Sequence, residues 1–271
     1  MKRMATFLIL AVLLAKGAGA AGAQDYCSKP VRVAMFEFGI LYRGGSGEGV
    51  DSRLLDVLSQ RSGCVFERVV MPRARIWAEL QAGSLDMATA AIPTPERKAF
   101  AYLMPYLTTR NIVLVRKSVG AVPESMAAFE GSNLRVGMVR GFKHEPAYDT
   151  WLGRLATQGR VTEVADVAEL FKYLERGMVD AVVSQPIVFR EYLDAERIQR
   201  EMVQRDWAPP EQFSVGSLVF SRKSFTAEQA ARWEALVVGI LKDQTMLKIM
   251  QDFMPLDQAR GIVYRGPRMP D

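Results

Sequence analysis

GSLDMATAAIPTPER, running from Gly83 to Arg97, is the stretch on which the fold turns. Ala82-Gly83 reads as a helix end, because glycine enters the left-handed conformation that closes helices without a Cβ penalty. Leu85–Ile92 is a short apolar run of strand length. Pro93 and Pro95 withhold backbone N–H groups and fix φ, so regular structure stops there and a turn begins. The turn delivers one cation, Arg97, just past the C-terminal edge of a strand, where open α/β sheets bind their ligands. A guanidinium fork matches a carboxylate. The alternative is that Arg97 pairs with Glu96 or another surface acid, a contact worth little in water.

Outward from this stretch, strands and helices alternate. Val31–Phe36 reads as a strand, Ser52–Gln60 as a helix, Val65–Val70 as a strand and Arg73–Ala82 as a helix. Ile112–Arg116 is an unbroken apolar strand of the kind buried in parallel sheets. This alternation predicts a parallel α/β sheet with right-handed crossovers. A second cycle follows: a short helix over Pro123–Phe129, strands over Leu134–Val139 and Asp180–Ser184, and helices over Ala147–Leu155, Val167–Arg176 and Pro186–Leu193. Phe213–Ser221 is extended. Ala227–Leu241 is an amphipathic helix with Ala230, Trp233, Leu236, Val237, Ile240 and Leu241 on one face, and Met246–Phe253 is a last helix. Breaks fall near Ser118–Gly120 and Gln212–Ser214. Too few strands follow the second break to build a third sheet, so the chain is expected to return to its first unit. That gives lobe 1 over residues 24–117 and 215–271, lobe 2 over 118–214, two crossing strands, and a cleft between the lobes.

The first residues bound the compartment. Lys2 and Arg3 precede an uncharged apolar run from Thr6 to Ala15, and Ala21-Gly22-Ala23 is an A-x-A cleavage pattern, so residues 1–23 read as a secretory signal peptide. The run is shorter than the ~20 residues a membrane span needs, although a retained anchor is the competing reading. The formal net charge of +5 includes Lys2, Arg3 and Lys16, and their removal leaves +2. No block of like charge is present, so nucleic acid is not implied as a partner. Cys27 and Cys64, the two cysteines, each precede a strand candidate. If those strands are parallel neighbours, both cysteines lie at one sheet edge and can bridge in an oxidising compartment; two separate thiols are the alternative.

Much chemistry is excluded. His144 is the single histidine, which leaves a histidine-based zinc site or a Ser-His-Asp triad without its parts. No G-x-S-x-G elbow is present. Gly44-Gly45-Ser46-Gly47 lacks the Gly-Lys-Ser/Thr of a P-loop. No metal or cofactor is expected. The remaining groups suit the holding of a small molecule. Phe36, Glu37 and Phe38 end the first strand, Arg73 and Arg75 open a helix, and Arg97 follows the third strand. Phe142 and Lys143 lie between a strand and a helix in the second unit, and Ser184 and Gln185 end another strand. Ordinary core for the phenylalanines and a solvated helix face for Arg73 and Arg75 are the competing readings.

The chain resembles the extracellular solute-binding proteins of family 3, the periplasmic receptors of polar amino-acid ABC importers. The resemblance rests on GVDSRLLDVL at Gly49–Leu58 and on L-x-x-G-x-x-D at Leu80, Gly83 and Asp86. It continues through T-P-E-R at Thr94–Arg97 with Tyr102, Pro105 and Tyr106 after it, V-G-M-V-R-G at Val136–Gly141, and L-x-x-G-x-V-D-A-V-V at Leu174–Val183. It implies two α/β lobes on a two-strand hinge that close on a ligand. It also implies a monomer in the periplasm serving an inner-membrane ABC permease or a sensor protein. Arg97 matches the arginine that such receptors use for the ligand α-carboxylate. Ala90 and Ile92 then border the ligand, but Ile92 stands where a Ser or Thr is usual. Ser184 stands where the family places an acid for the ligand amine. Phe142 and Lys143 replace small hydroxyl residues after the second-lobe glycine. The carboxylate half of the site is kept and the ammonium half is lost, which points to a small anion, a carboxylate with an aromatic or apolar part, and away from an ordinary α-amino acid. A sensory subunit is a second reading. A cyclohexadienyl-dehydratase-like enzyme is a third, and it would need Glu37 as its acid.

Overall fold

A computed structural model describes residues 26–266; the expected signal peptide lies outside the described residues. The first unit runs β1 (Val31–Met35), α1 (Val50–Ser62), β2 (Phe66–Val70), α2 (Arg73–Ala82), β3 (Met87–Ala91), α3 (Pro95–Phe100) and β4 (Ala101–Thr109). The second runs β5 (Ile112–Arg116), α4 (Met126–Glu130), β6 (Val136–Val139), α5 (Pro146–Thr157), β7 (Val161–Val164), α6 (Val167–Glu175), β8 (Ala181–Ser184), α7 (Pro186–Phe189), α8 (Ala195–Glu201) and β9 (Met202–Arg205). The chain then returns through β10 (Ser214–Ser221), α9 (Ala227–Lys242), α10 (Thr245–Gln251) and α11 (Leu256–Ile262).

Two five-stranded sheets result, in the orders β2-β1-β3-β10-β4 and β7-β6-β8-β5-β9. The α/β architecture is the expected one, but the sheets are mixed rather than parallel. β1, β2 and β3 are parallel to one another, as are β6, β7 and β8, whereas β10 runs antiparallel to β3 and β4, and β5 antiparallel to β8 and β9. The antiparallel strands are those next to the crossings, because a chain that leaves one lobe and re-enters it must reverse direction there.

β5 corrects the expected boundary. Its pairing with β8 and β9 places residues 112–116 in the second sheet, so the chain changes lobe at Arg110-Asn111 and not near Ser118–Gly120. The return lies between β9 and β10. Arg110 joins the two crossings: its guanidinium donates to both Asp206 carboxylate oxygens (2.6 and 2.8 Å) and to the carbonyls of Ala208 (2.7 Å) and Gln212 (2.6 Å).

Each lobe has an aromatic centre. Trp233 of α9 is fully buried against Tyr26, Phe66 and Phe220 in the first, and Trp151 of α5 packs with Phe129, Tyr148 and Trp207 in the second. Cys27 and Cys64 form a disulfide with Cα atoms 6.1 Å apart, beside the parallel pair β1 and β2.

Candidate functional site

The C-terminal ends of the parallel strands in both lobes face one another across a cleft. On the first lobe, Thr94 caps α3 by accepting from the Arg97 amide (3.3 Å), and Pro95 fills the first helical position, where its missing N–H is harmless. Arg97 therefore sits in the first turn of a short helix. Its side chain folds back: Nη1 donates to the Ile92 carbonyl (2.7 Å) and Nη2 reaches across the cleft to the Gly141 carbonyl (3.2 Å). The guanidinium stacks on Trp77, 3.8 Å from the ring centroid. Burial pulls its pKa down to about 10, against the opposing charges of Asp149 and Glu96; it stays cationic at any physiological pH.

Arg73 is the second buried cation. It donates to the carbonyls of Thr89 (3.0 Å) and Ala90 (2.9 Å) and lies over Phe36 and Trp77. Burial, then the charge of Arg97, holds its pKa well below the ordinary arginine value. Ala90 takes a left-handed φ of +52°, a conformation costing a residue with a Cβ roughly 1–2 kcal/mol. Arg73 on its carbonyl and the Tyr106 hydroxyl on its amide (3.2 Å) hold it there. Tyr106 donates in turn to Asp51, a buried carboxylate whose pKa burial pushes up to about 6.

The cleft encloses a cavity of about 40 Å³. Phe36, Phe38, Arg73, Ala90, Ile92 and Arg97 line it from the first lobe, and Phe142, Lys143 and Ser184 from the second. Two sequence candidates lie elsewhere. Arg75 is on the outer face of α2, paired with Glu79 one turn on (2.7 Å), which is the solvated-face reading. Glu37 lies outside the cavity and accepts a hydrogen bond from Tyr192 of the second lobe (2.7 Å), because residues alternate sides along the extended segment Phe36–Phe38. Its role is a contact between lobes, and Arg43 with Glu191 makes another, through two hydrogen bonds of 2.7 and 3.0 Å.

The crossings add polar wall residues that the sequence did not single out. Asn111 and Ser214, one from each crossing, line the cavity and hydrogen-bond each other (2.8 Å), and Asn111 also donates twice to buried Glu145 (2.9 and 2.8 Å). His144 is buried with Nδ1 3.2 Å from Asp149. Gln185, next to Ser184, is 6% exposed, and its Oε1 is buried without a hydrogen-bond partner. No Asp or Glu lines the cavity, while Arg73, Arg97 and Lys143 do. Among the described residues no group of three or more His, Cys, Asp and Glu is placed to hold a metal.

Two α/β lobes on paired crossings, with a cationic and aromatic cleft between them, define a two-lobed ligand-binding protein of the periplasmic binding fold. Residues 31–254 match the profile of the bacterial extracellular solute-binding proteins, family 3, and the chain belongs to that family. Its fold is similar to that of the L-arginine-bound AbpA, an amino acid ABC transporter substrate-binding protein from Streptococcus pneumoniae (TM-score 0.68, 19% identity, covering 86% of this chain and 95% of that one). It is similar also to the GluR0 ligand-binding core of Nostoc punctiforme with L-glutamate (0.67, 16%, 83% and 100%) and to the BvgS VFT2 domain of Bordetella pertussis (0.64, 21%, 83% and 93%). Comparison with curated proteins finds no match.

Proposed function

We propose that this chain is a periplasmic binding protein that captures a small carboxylate-bearing solute and presents it to an inner-membrane ABC importer. The carrying observation is the charge of the cavity wall: Arg73, Arg97 and Lys143 face it and no acid does. Of these, Arg73 and Arg97 are buried and donate to carbonyl oxygens and to no carboxylate among the described residues; a buried cation without a directly paired carboxylate is costly, and a carboxylate ligand supplies that partner. An α-amino acid would also bring an ammonium group among these cations with no carboxylate to receive it. The ligand docks on the first lobe, the crossings bend, and the second lobe closes over it. Arg97 already touches Gly141 across the cleft, so a carboxylate bound there is felt by both lobes.

Calorimetric titration of the mature protein against organic acids and amino acids tests this. Carboxylate binding that falls at least about tenfold in Arg97→Ala is the expected result, the loss of a charge-assisted hydrogen bond being worth roughly 1.5–3 kcal/mol. Tight binding of an unmodified α-amino acid, undiminished in Arg97→Ala, would overturn it. The same closure serves a ligand-sensing subunit, and fold likeness to a BvgS domain keeps that second reading in view; co-purification with a permease or with a membrane kinase separates the two.

A further inference from the structure

The cavity has an apolar end and a polar end, and each restricts the ligand. At the apolar end, Gly141 adopts φ +81° with its missing Cβ position 3.1 Å from Ala74 across the cleft, and this turn carries Phe142 onto the first lobe. The Phe142 ring lies 5.6 Å from Phe36 and 5.5 Å from Phe38, which are themselves 5.2 Å apart. The protein thus fills its own aromatic slot. At the polar end, the buried Gln185 Oε1 has no partner, and an unpaired buried acceptor favours a ligand that donates to it by roughly five- to 150-fold. The donor is uncharged by preference, because Arg73, Arg97 and Lys143 share the wall. Arg97 has spent two of its N–H groups on Ile92 and Gly141 and retains others for a carboxylate.

Resting on the carboxylate reading above, we propose that the cleft selects a short 2-hydroxycarboxylate, of the size of glycolate or lactate. Arg97 takes the carboxylate, Gln185 accepts from the hydroxyl, and Phe142 limits the length. With the Phe142 ring seated against Phe36 and Phe38, the 40 Å³ void is left to a short acid and not to one bearing a phenyl ring.

The test is calorimetry of the wild-type mature protein against glycolate, lactate, propionate, 3-phenyllactate and alanine, with Arg97→Ala, Gln185→Leu and Phe142→Ala alongside. Lactate should bind at least about fivefold tighter than propionate, the lower bound for satisfying one buried acceptor, and tighter than 3-phenyllactate. Gln185→Leu should erase the preference over propionate, and Phe142→Ala should admit 3-phenyllactate. Propionate equal to lactate, or 3-phenyllactate tighter than lactate, with binding still lost in Arg97→Ala, overturns the hydroxycarboxylate assignment and leaves the carboxylate reading standing. Alanine tighter than lactate, or binding of no acid at all, overturns both. The wild-type comparisons decide the matter even where a variant fails to fold.

Discussion

Gly39→Ala should hold the lobes apart. Gly39 lies in the 3-10 turn Gly39–Leu41 of the first lobe at φ +57°, and a Cβ built on it would stand 2.2 Å from the Ile187 carbonyl oxygen and 2.5 Å from the Val188 Cα of the second lobe. Ordinary contact begins at 3.4 Å, so the lobes must separate by more than an ångström at this point, since both obstructing atoms are backbone and cannot rotate away. Two costs follow, and they are separable. The left-handed φ costs about 1–2 kcal/mol in any state in which the first lobe is folded. The clash acts only where the lobes meet, and every 1.4 kcal/mol it adds to closure lowers apparent affinity about tenfold. The assays are small-angle scattering of wild type and variant with and without saturating ligand, calorimetric affinity, and a denaturation curve. The expected result is a variant with a larger radius of gyration, at least about tenfold weaker binding, and a stability loss confined to the φ term. An unchanged radius with unchanged affinity would refute the close approach of Gly39 to α7 as a condition of closure.

Three further outcomes are expected. Asp51 has a folded pKa of about 6 against an ordinary 3.8, so the native state binds the extra proton between those values. Stability should rise as pH falls from 6 toward 3.8, by up to about 3 kcal/mol for a shift of this size, and denaturation of Asp51→Asn should lack that component. Removing the disulfide by Cys27→Ser with Cys64→Ser opens a loop of sequence separation 37 and should cost about 4 kcal/mol in the chain-entropy picture, read from denaturant midpoints under oxidising conditions. Glu145→Gln turns an amide donor toward one of the two Asn111 donors and should destabilise by about 1–3 kcal/mol; a midpoint unchanged from wild type would show that the carboxylate is not needed at the crossings.

The local elements were legible because their signals are local. Gly83 closes α2 with φ +82°, and α2 and β5 fall on their expected residues, since a glycine stop and an unbroken apolar run report directly on backbone geometry. β4 gives no strand signal in the sequence, because Pro105 interrupts it. The strand tolerates the proline by lying at the sheet edge, where one side of the backbone has no ladder to lose. β7 and β9 are four-residue edges with mixed burial, too short for periodicity to register. The placement of β5 is not legible in the sequence for a different reason. Its sequence states that it is buried and leaves open which sheet buries it, and that depends on antiparallel pairing with a strand nearly seventy residues later.

The site divides along the same line. Arg97 was readable because proline, threonine and arginine at fixed spacing encode a capped turn, whereas the Asn111, Glu145 and Ser214 cluster joins residues 34 and 103 positions apart and has no local signature. Glu37 shows how a neighbour can mislead: it stands between two cavity phenylalanines in sequence, and strand alternation sends it to the opposite side, where it meets Tyr192. Ser184 and Gln185 show the converse. Serine at the strand end removes the acid expected for an amine, and the residue after it brings an amide oxygen that still wants a donor. Losing a carboxylate there does not make the wall inert. It exchanges an acceptor that pairs best with a cation for one that serves a neutral hydroxyl equally well, and that exchange, with three cations on the same wall, is the ground for the proposed preference for anions over zwitterions.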